Sequence, residues 1–423
     1  MSRHSTARED LGTMRNPNDL PAVQWPRPTG LSRRSVLRAL GVGGAAAAAG
    51  PLLAACGSEG EKKSETANKS APDRSDTDKT VIFENWPQYI DVDDSGKKHP
   101  TLDEFTAKTG IKVTYGEGIN DNNEFFGRIR NQLANDQSIG RDIIVMTDWM
   151  AGKIINLGWV QELNKTNIPN AANLIPSLQN ASFDPGRKYS LAWQSGFTAI
   201  GANAKALNKL GITDPSTLTV GQLLTDSKLK GKVTMLTEMQ DSVGLVLLDS
   251  GVSSADFTDD QFNAAIKRIQ DAVDAGQIRR FTGNDYTQDL QSGDVAACIA
   301  WSGDVIQLQF ENDAIQYVTP AAGQMIWSDN MLIPNFAPHK KNAEILMNYY
   351  YDPVVAAKVA AWVNYICPVQ GAKEAMADID ESLVHNPLIF PDEATLTKSF
   401  DFKPMDEATQ QRYDEAFAAV TNA

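Results

Sequence analysis

The feature that most constrains this chain is an alternation of short apolar strands and helices in the first half of the folded sequence. Strands are predicted at Thr80 to Phe83, Ile111 to Tyr115 and Asp142 to Met146. Helices are predicted between them, from Thr101, as the N-cap, to a stop at Gly110, and from Asn123 to Asn135. Strands and helices in this order and at this spacing form parallel βαβ units. The sequence therefore predicts an α/β fold.

The same alternation returns in the second half. Strands are predicted at Lys232 to Leu236 and Val295 to Trp301, and helices at Asp241 to Ser250 and Asp259 to Ala275. The 423 residues exceed what one hydrophobic core usually organises. We therefore expect two lobes.

The N-terminal segment has the composition of an export signal. Leu31 to Leu37 contains Arg33 and Arg34, and an uncharged run rich in Ala and Gly follows from Ala39 to Ala55. This arrangement resembles a twin-arginine signal, and the four residues that end at Cys56 resemble the lipobox of bacterial lipoproteins. We therefore expect export by the twin-arginine route and a lipid on Cys56.

Net charge and cysteine content limit the classes of ligand that the chain can bind and the covalent links that it can form. The chain carries a formal net charge of −14, and removal of its first 55 residues leaves −18. Such a charge argues against nucleic acid and favours cationic ligands. With Cys56 assigned to lipid, Cys298 and Cys367 remain, and the sequence leaves open whether they form a disulfide. The four His residues have no metal-ligand spacing, and we expect neither metal nor cofactor.

Aromatic and acidic residues cluster where strands are predicted to end, which is where open α/β sheets bind ligands. These loops are 84–89, 147–149, 237–241 and 301–304, and a later segment adds Trp327 and Asp329. Aromatic faces attract an ammonium group and cover an alkyl chain, and carboxylates pair with the positive charges. A ligand with amines joined by methylenes meets both demands.

Five segments, in this order, also match a known family: Asn85 to Tyr89, Asp142 to Val145, Tyr189 to Gly201, Ile299 to Gly303, and Trp327 to Pro334. Over residues 80–423 the chain resembles the spermidine/putrescine-binding proteins, the solute receptors of polyamine ABC importers. The resemblance implies the two-lobed type II periplasmic-binding-protein fold, with the ligand between lobes joined by hinge strands near 195–201 and 317–320. The implied domains are a signal segment (1–55), the lipidated Cys and a flexible tether (56–79), lobe 1 (80–196 and 321–395), lobe 2 (197–320) and a C-terminal helical tail (396–423).

The resemblance also implies a set of ligand-binding residues. They are Trp86, Tyr89, Thr147, Trp149, Glu238, Asp241, Trp301, Trp327 and Asp329. Thr147 stands where the family has Ser, Trp149 where it has Tyr, and Gln240 where it often has Arg. The acid pair at 238 and 241 differs from the family's pair in the length of each side chain, so the choice among putrescine, spermidine and a substituted amine stays open. A polar contact from the C-terminal segment is also expected, at a position that the sequence does not identify.

The mechanism implied is capture of a polyamine, closure of the lobes and delivery to a membrane permease, with no chemistry on the ligand. We expect a monomer that is anchored by lipid to the cell membrane, on its outer face or periplasmic side. The alternatives are a receptor for a sugar or a substituted amine, and, in another class, a secreted glycosidase using acids such as Glu238 and Asp329. A neutral sugar does not require three ionised carboxylates in one cleft. The number of acids therefore distinguishes a polyamine receptor from a sugar receptor.

Overall fold

A computed structural model describes residues 70–93 and 95–422. The predicted twin-arginine segment and Cys56 lie outside these residues. The strands are β1 (Thr80–Glu84), β2 (Lys112–Gly116), β3 (Ile143–Thr147), β4 (Ser190–Asn203), β5 (Val233–Leu236), β6 (Ile278–Thr282), β7 (Ala297–Trp301), β8 (Ile315–Val318), β9 (Gln324–Leu332) and β10 (Ser399–Phe400).

The helices surround the strands. They are α1 (Pro100–Thr109), α2 (Asn122–Ala134), α3 (Asp148–Asn156), α4 (Ala204–Lys209), α5 (Val220–Thr225), α6 (Met239–Asp249), α7 (Asp259–Asp274), α8 (Tyr286–Ser292), α9 (Ser302–Glu311), α10 (Lys340–Tyr350), α11 (Pro353–Val363), α12 (Ala372–Met376), α13 (Glu393–Leu396) and α14 (Glu407–Thr421). Single 3₁₀ turns lie at Lys165–Asn167, Pro169–Asn173, Pro176–Leu178, Pro215–Thr217, Ser227–Leu229 and Glu381–Leu383.

The strands form one sheet in the order β2-β1-β3-β9-β4-β7-β5-β6, with β10 beside β9 and β8 beside β4. β1 is parallel to both β2 and β3, and β5 is parallel to both β6 and β7. These are the predicted βαβ units, and the α/β class is confirmed. Each unit brings the carboxyl ends of its strands to one edge of the sheet, where the loops that follow them meet.

The long strands β4 and β9 join the two groups of parallel strands. From Ser190 to Thr198, β4 pairs with β9, and from Thr198 to Ala202 it pairs with β7. β9 in turn pairs with β3. We use lobe 1 for β1–β3 with α1–α3, and lobe 2 for β5–β7 with α6–α9. All 14 residues of β4 are buried, so the strand that passes between the lobes lies inside the protein.

The start of α1 differs from the prediction. His99 is the N-cap and Pro100 occupies the first helical turn, so the prediction of Thr101 as the N-cap was wrong. Proline favours the first helical position because its fixed φ suits the helix and its missing N–H would have no partner there. Thr101 instead points inward, where its hydroxyl donates to Asp91. The predicted stop at Gly110 is confirmed, with φ of 73°.

The C-terminal segment packs on lobe 2. The ring of Tyr413, on α14, stacks on Phe262 of α7 at 3.6 Å between centroids and an interplanar angle of 6°. The Tyr413 hydroxyl donates to Asp259, and Arg412 forms an ion pair with the same carboxylate at 3.0 Å. These contacts hold α14 against the N-terminal part of α7.

The end of the predicted tether packs against the folded body. Ser75 is buried, and its hydroxyl accepts a hydrogen bond from the Asn342 N–H at 3.1 Å. His339 lies between Asp142 and Asp78, with its ring nitrogens 3.0 and 3.2 Å from their carboxylates. Composition alone could not indicate this packing, because it depends on polar contacts made by short side chains rather than on apolar burial.

Cys298 and Cys367 are both free and buried. Burial raises the pKa of both thiols, to about 12 for Cys367, so neither thiol reacts readily at neutral pH. We therefore expect reductant to leave the melting temperature of the chain from Gly57 onward unchanged, and a thiol assay in denaturant to count two free thiols. A reductant-sensitive mass or melting temperature would contradict this assignment.

No helix within residues 70–93 and 95–422 has the length and apolar character needed to cross a membrane.

Candidate functional site

The nine residues predicted to bind ligand all line one cleft of about 1530 Å³. Trp86 and Tyr89 follow β1, Thr147 ends β3, and Trp149 lies in the first turn of α3. From lobe 2 come Glu238 and Asp241, at the start of α6, and Trp301 at the end of β7. Trp327 and Asp329 lie within β9. The structure thus brings together residues that are up to 243 positions apart in the chain.

Asp329 is the acid on the lobe 1 side of the cleft. The Tyr89 hydroxyl donates to its Oδ2 at 2.9 Å, and the Thr147 hydroxyl donates to its Oδ1 at 2.7 Å. The residue is only 4% exposed. Burial raises the pKa of Asp329 to about 7, although both hydrogen bonds act in the opposite direction. The carboxylate is therefore fixed in position and favours a positive charge beside it.

Asp241 is the corresponding acid of lobe 2. The indole N–H of Trp301 donates to its Oδ2 at 2.9 Å, and the Thr198 hydroxyl donates to its Oδ1 at 2.7 Å. Trp327 donates its own indole N–H to the Thr198 oxygen at 2.9 Å. Burial raises the pKa of Asp241 to about 6. The polar edges of both indoles are thus directed into the network around this acid, which fixes how their rings face the cleft.

Asp304 is a third buried acid in the cleft, and the sequence did not identify it as a binding residue. Its carboxylate accepts hydrogen bonds from the hydroxyls of Tyr365 at 2.7 Å and Tyr286 at 2.9 Å, and from the Asn284 amide at 3.0 Å. Burial raises the pKa of Asp304. A signal existed, because Asp304 closes the predicted loop 301–304 and lies one helical turn after Trp301.

Five aromatic side chains make a series of ring contacts along the cleft. Trp86 meets Trp301 at 6.2 Å between ring centroids, and Trp301 meets Trp327 at 6.5 Å, both with interplanar angles of 75°. Tyr365 continues the series, at 5.5 Å from Trp327 and 5.1 Å from Tyr89. Three of these four contacts are edge-to-face, an arrangement that aromatic pairs prefer. We call these five residues the aromatic series.

Two members of the site depart from the predicted pattern. Trp149 lines the cleft, but it makes no ring contact with the aromatic series within the described part of the chain. Tyr365 belongs to the aromatic series and was not predicted, because it follows α11 rather than a strand end. It lies between α11 and α12, in the C-terminal part of the chain, from which a polar contact was expected without an assigned residue. Its position depends on how α11 packs, which no local pattern reveals.

Glu238 is buried at the boundary between the lobes. Its Oε1 accepts hydrogen bonds from the backbone N–H of Asn122 at 3.1 Å and from the Asn122 side-chain amide at 2.8 Å. Burial, followed by the charge of Asp121, raises the pKa of Glu238 well above its usual range. The Glu238 carboxylate therefore contacts Asn122 of lobe 1 and also lines the cleft.

Within the described residues, the cleft acids have no cationic side chain as a partner. In the part of the chain that the structure describes, no Lys, Arg or His nitrogen lies within 4 Å of the carboxylates of Glu238, Asp241, Asp304 or Asp329. Burying ionised carboxylates without a cation is costly. The arrangement therefore suits a ligand that brings several positive charges, and its aromatic faces suit an alkyl chain between those charges.

The same residues do not suggest a metal centre. Over residues 70–93 and 95–422, no three His, Cys, Asp or Glu side chains are grouped as a metal would require. Each cleft acid instead accepts hydrogen bonds from hydroxyl, indole or amide donors. Such donors orient a carboxylate for a charge-assisted hydrogen bond to an ammonium group.

Comparisons with known proteins show which proteins this chain is similar to. A model of the bacterial extracellular solute-binding protein family matches residues 101–388. A spermidine/putrescine-binding periplasmic protein of Salmonella typhimurium is 25% identical over 329 residues, which are 78% of this chain and 88% of that protein. Spermidine/putrescine-binding periplasmic protein 1 of Haemophilus influenzae is 26% identical over 372 residues, covering 87% of this chain and 95% of that one.

A solved structure shows the same fold. The substrate-binding protein of a spermidine/putrescine ABC transporter from Streptococcus pneumoniae superposes with a TM-score of 0.64 at 23% identity, covering 81% of this chain and 98% of that one. The expectation of a two-lobed periplasmic-binding-protein fold is confirmed.

Proposed function

Because this chain belongs to the bacterial extracellular solute-binding protein family, we propose that it is an extracytoplasmic receptor for polyamines such as spermidine and putrescine. One observation carries the proposal: buried carboxylates that have no cationic side-chain partner among the described residues share a cleft with the aromatic series. A linear polyamine supplies both of the missing parts, namely separated positive charges and the methylenes between them. The relatives' names support the same ligand class.

The proposed mode of binding assigns one amine to each side of the cleft. An ammonium group pairs with Asp329 on the lobe 1 side, and the opposite end pairs with Asp241 and Asp304 of lobe 2. The methylene chain lies against the faces of Trp301 and Trp327. Each contact between an ammonium and an aromatic face contributes about 0.5–2 kcal/mol, with the larger values in a water-excluded site. The hydroxyls of Thr147 and Tyr89 orient the Asp329 carboxylate and do not themselves pair with a charge of the ligand.

The proposed mechanism is capture, closure and delivery. The amine bridges acids on both sides, so it makes its full set of contacts only when the lobes approach each other, and this difference drives closure. The closed form then delivers the ligand to the permease of an ABC importer. No bond of the ligand is made or broken, which sets this reading apart from the glycosidase alternative.

We further propose that the protein is exported by the twin-arginine route, anchored by lipid on Cys56 and monomeric. The motifs at Leu31 to Leu37 and Leu53 to Cys56 support export and anchoring. For the lobes we keep the predicted boundaries as a proposal. The change of β4 partners at Thr198 supports a crossing within 195–201, and the position of α14 on α7 supports assigning the tail to lobe 2.

A substituted amine is the second candidate ligand, and the size of the cleft favours it. Small-molecule sites usually measure about 300–1,000 Å³, and this cleft is larger. Gln240, which lines the cleft, also offers a neutral polar group where the related proteins often have a charged one. A bulky group on one amine could occupy this space without displacing the charged ends from the acids.

Isothermal titration of the chain from Gly57 onward tests the proposal. We expect spermidine or putrescine to bind, more weakly at high salt, and maltose to produce no heat. Salt weakens binding that depends on charge, whereas sugar stacking on tryptophan has little salt dependence. Binding of maltose, or silence from every amine with folded and ligand-free protein, would overturn the proposal.

A further inference from the structure

The segment Asn120–Asp121–Asn122 of lobe 1, immediately before and at the start of α2, contacts lobe 2 at three successive residues. Asn122 donates to Glu238, as described above. Asp121 accepts a hydrogen bond at its Oδ2 from the Thr237 hydroxyl, at 2.6 Å. Asn120 lies against the backbone of Gly283, which follows β6. These contacts join the loop before α2 to two loops of lobe 2, and none of them involves the aromatic series.

Asn122 connects the acids of the two lobes. Its side-chain nitrogen lies 2.9 Å from the Thr147 oxygen and 2.8 Å from Glu238 Oε1. Its side-chain oxygen accepts a hydrogen bond from the Thr147 N–H at 3.3 Å. Thr147 in turn donates to Asp329. A continuous series of hydrogen bonds therefore runs from Asp329 of β9, through Thr147 and Asn122 of lobe 1, to Glu238 in lobe 2.

Gly283 allows a close approach of the two lobes. An added Cβ would overlap the carbonyl oxygen of Asn120 and would come within 2.7 Å of its side-chain nitrogen. The backbone of Gly283 is not in the left-handed region, so a side chain is excluded by the neighbouring lobe alone. A residue larger than glycine would fit here only if the lobes stood farther apart.

We infer that Asn120–Asp121–Asn122 is a closure latch, in which Asn122 holds Glu238 only when the lobes are closed and so acts as a positioning residue for ligand capture. The inference rests on the proposed function and deepens it. The latch occupies Oε1 of Glu238, which leaves Oε2 for an amine of the ligand. Thr237 and Gly283 supply the lobe 2 surface on which the latch closes.

The position of Glu238 explains how ligand and latch are coupled. An ionised carboxylate accepts stronger hydrogen bonds than a neutral one. Burial and the nearby charges of Asp121 and Asp241 oppose ionisation of Glu238, and an ammonium group beside Oε2 favours it. Amine binding therefore strengthens the two bonds from Asn122. Lobe closure gains a contribution that the ligand triggers without touching the latch itself.

The replacement Gly283→Ala tests the latch, with Gly127→Ala as the matched control. Gly127 lies in α2, and an added Cβ there meets nothing within 4 Å. We expect Gly283→Ala to bind spermidine at least about tenfold more weakly than wild type and to fail to contract in small-angle X-ray scattering when spermidine is added. Gly127→Ala should bind and contract like wild type. Melting temperatures of the ligand-free variants check that both remain folded.

A double-mutant cycle with Asn122→Ala and Glu238→Gln provides the second measurement. If the latch acts through this pair, the two changes together weaken spermidine binding by clearly less than the product of their separate effects. Multiplicative effects, or a Gly283→Ala variant that binds and contracts like wild type, would overturn the latch and leave the proposed function intact. Failure of wild type to bind any amine would overturn the proposed function and the coupling that rests on it.

Discussion

Replacing Asp329 with Asn is expected to weaken spermidine binding at least tenfold while the melting temperature of the ligand-free protein stays near or above that of wild type. Asparagine has nearly the same shape, but it carries no charge to pair with an ammonium group. Tenfold corresponds to about 1.4 kcal/mol, which is below the usual cost of removing one partner of a buried charged pair. The ligand-free protein does not lose stability, because burial already disfavours the charged form of this residue.

Asp256→Asn is the matched control. Asp256 is exposed in the loop before α7, so its replacement removes the same charge from the molecule without changing the cleft. Calorimetry of both variants distinguishes the pairing of Asp329 with an ammonium group from the general attraction of cations to a protein of net charge −18. If the two variants bind spermidine equally well, Asp329 does not belong to the site.

The affinity for spermidine is expected to fall by about a hundredfold between pH 8 and pH 5, from protonation of Asp329 alone. An isolated alkyl ammonium group titrates near about pH 10.4, and the amines of the ligand only gain protons as pH falls, so a loss of affinity toward pH 5 comes from the protein. Burial raises the pKa of Asp329 to about 7 and that of Asp241 to about 6, and an ammonium group must displace these protons before it can pair. Asp241 adds to the loss below pH 6.

The stability of the ligand-free protein should change in the opposite direction. The folded protein holds protons on Asp329 and Asp241 that the unfolded chain releases near pH 4. Their contribution to stability is therefore complete below about pH 4 and is lost as pH rises through 6 and 7. Saturating spermidine should raise the melting temperature more at pH 8 than at pH 5. An affinity that stays constant from pH 8 to pH 5 would contradict the role of these acids.

The fold was largely predictable from local patterns. Short apolar runs such as Thr80 to Phe83, separated by helices of regular spacing, specify βαβ units because a parallel strand requires a crossover. The N-cap of α1 was predicted wrongly because Pro100 and Thr101 both favour a helix start. Pro100 begins the helix, and Thr101 donates a hydrogen bond to Asp91 instead. The packing of residues 73–79 was not predictable, since it depends on partners more than 250 positions away.

The site was predictable where residues follow strands. Trp86, Thr147 and Trp301 come at the carboxyl ends of parallel strands, which share one edge of the sheet, so their proximity follows from topology. Tyr365 could not be found in this way, because it follows a helix and reaches the cleft through tertiary packing. The bonds from Asn122 to Glu238 were equally inaccessible, since they arise only from the approach of two lobes.

A crystal structure of the protein with spermidine would test the central claim most directly. The account predicts ammonium nitrogens about 2.7–2.9 Å from the carboxylate of Asp329 and from Asp241 or Asp304, with the methylene chain between Trp301 and Trp327 and the Asn122–Glu238 bonds in place. Spermidine bound outside the cleft, or in the cleft with its nitrogens away from all of these acids, would contradict it.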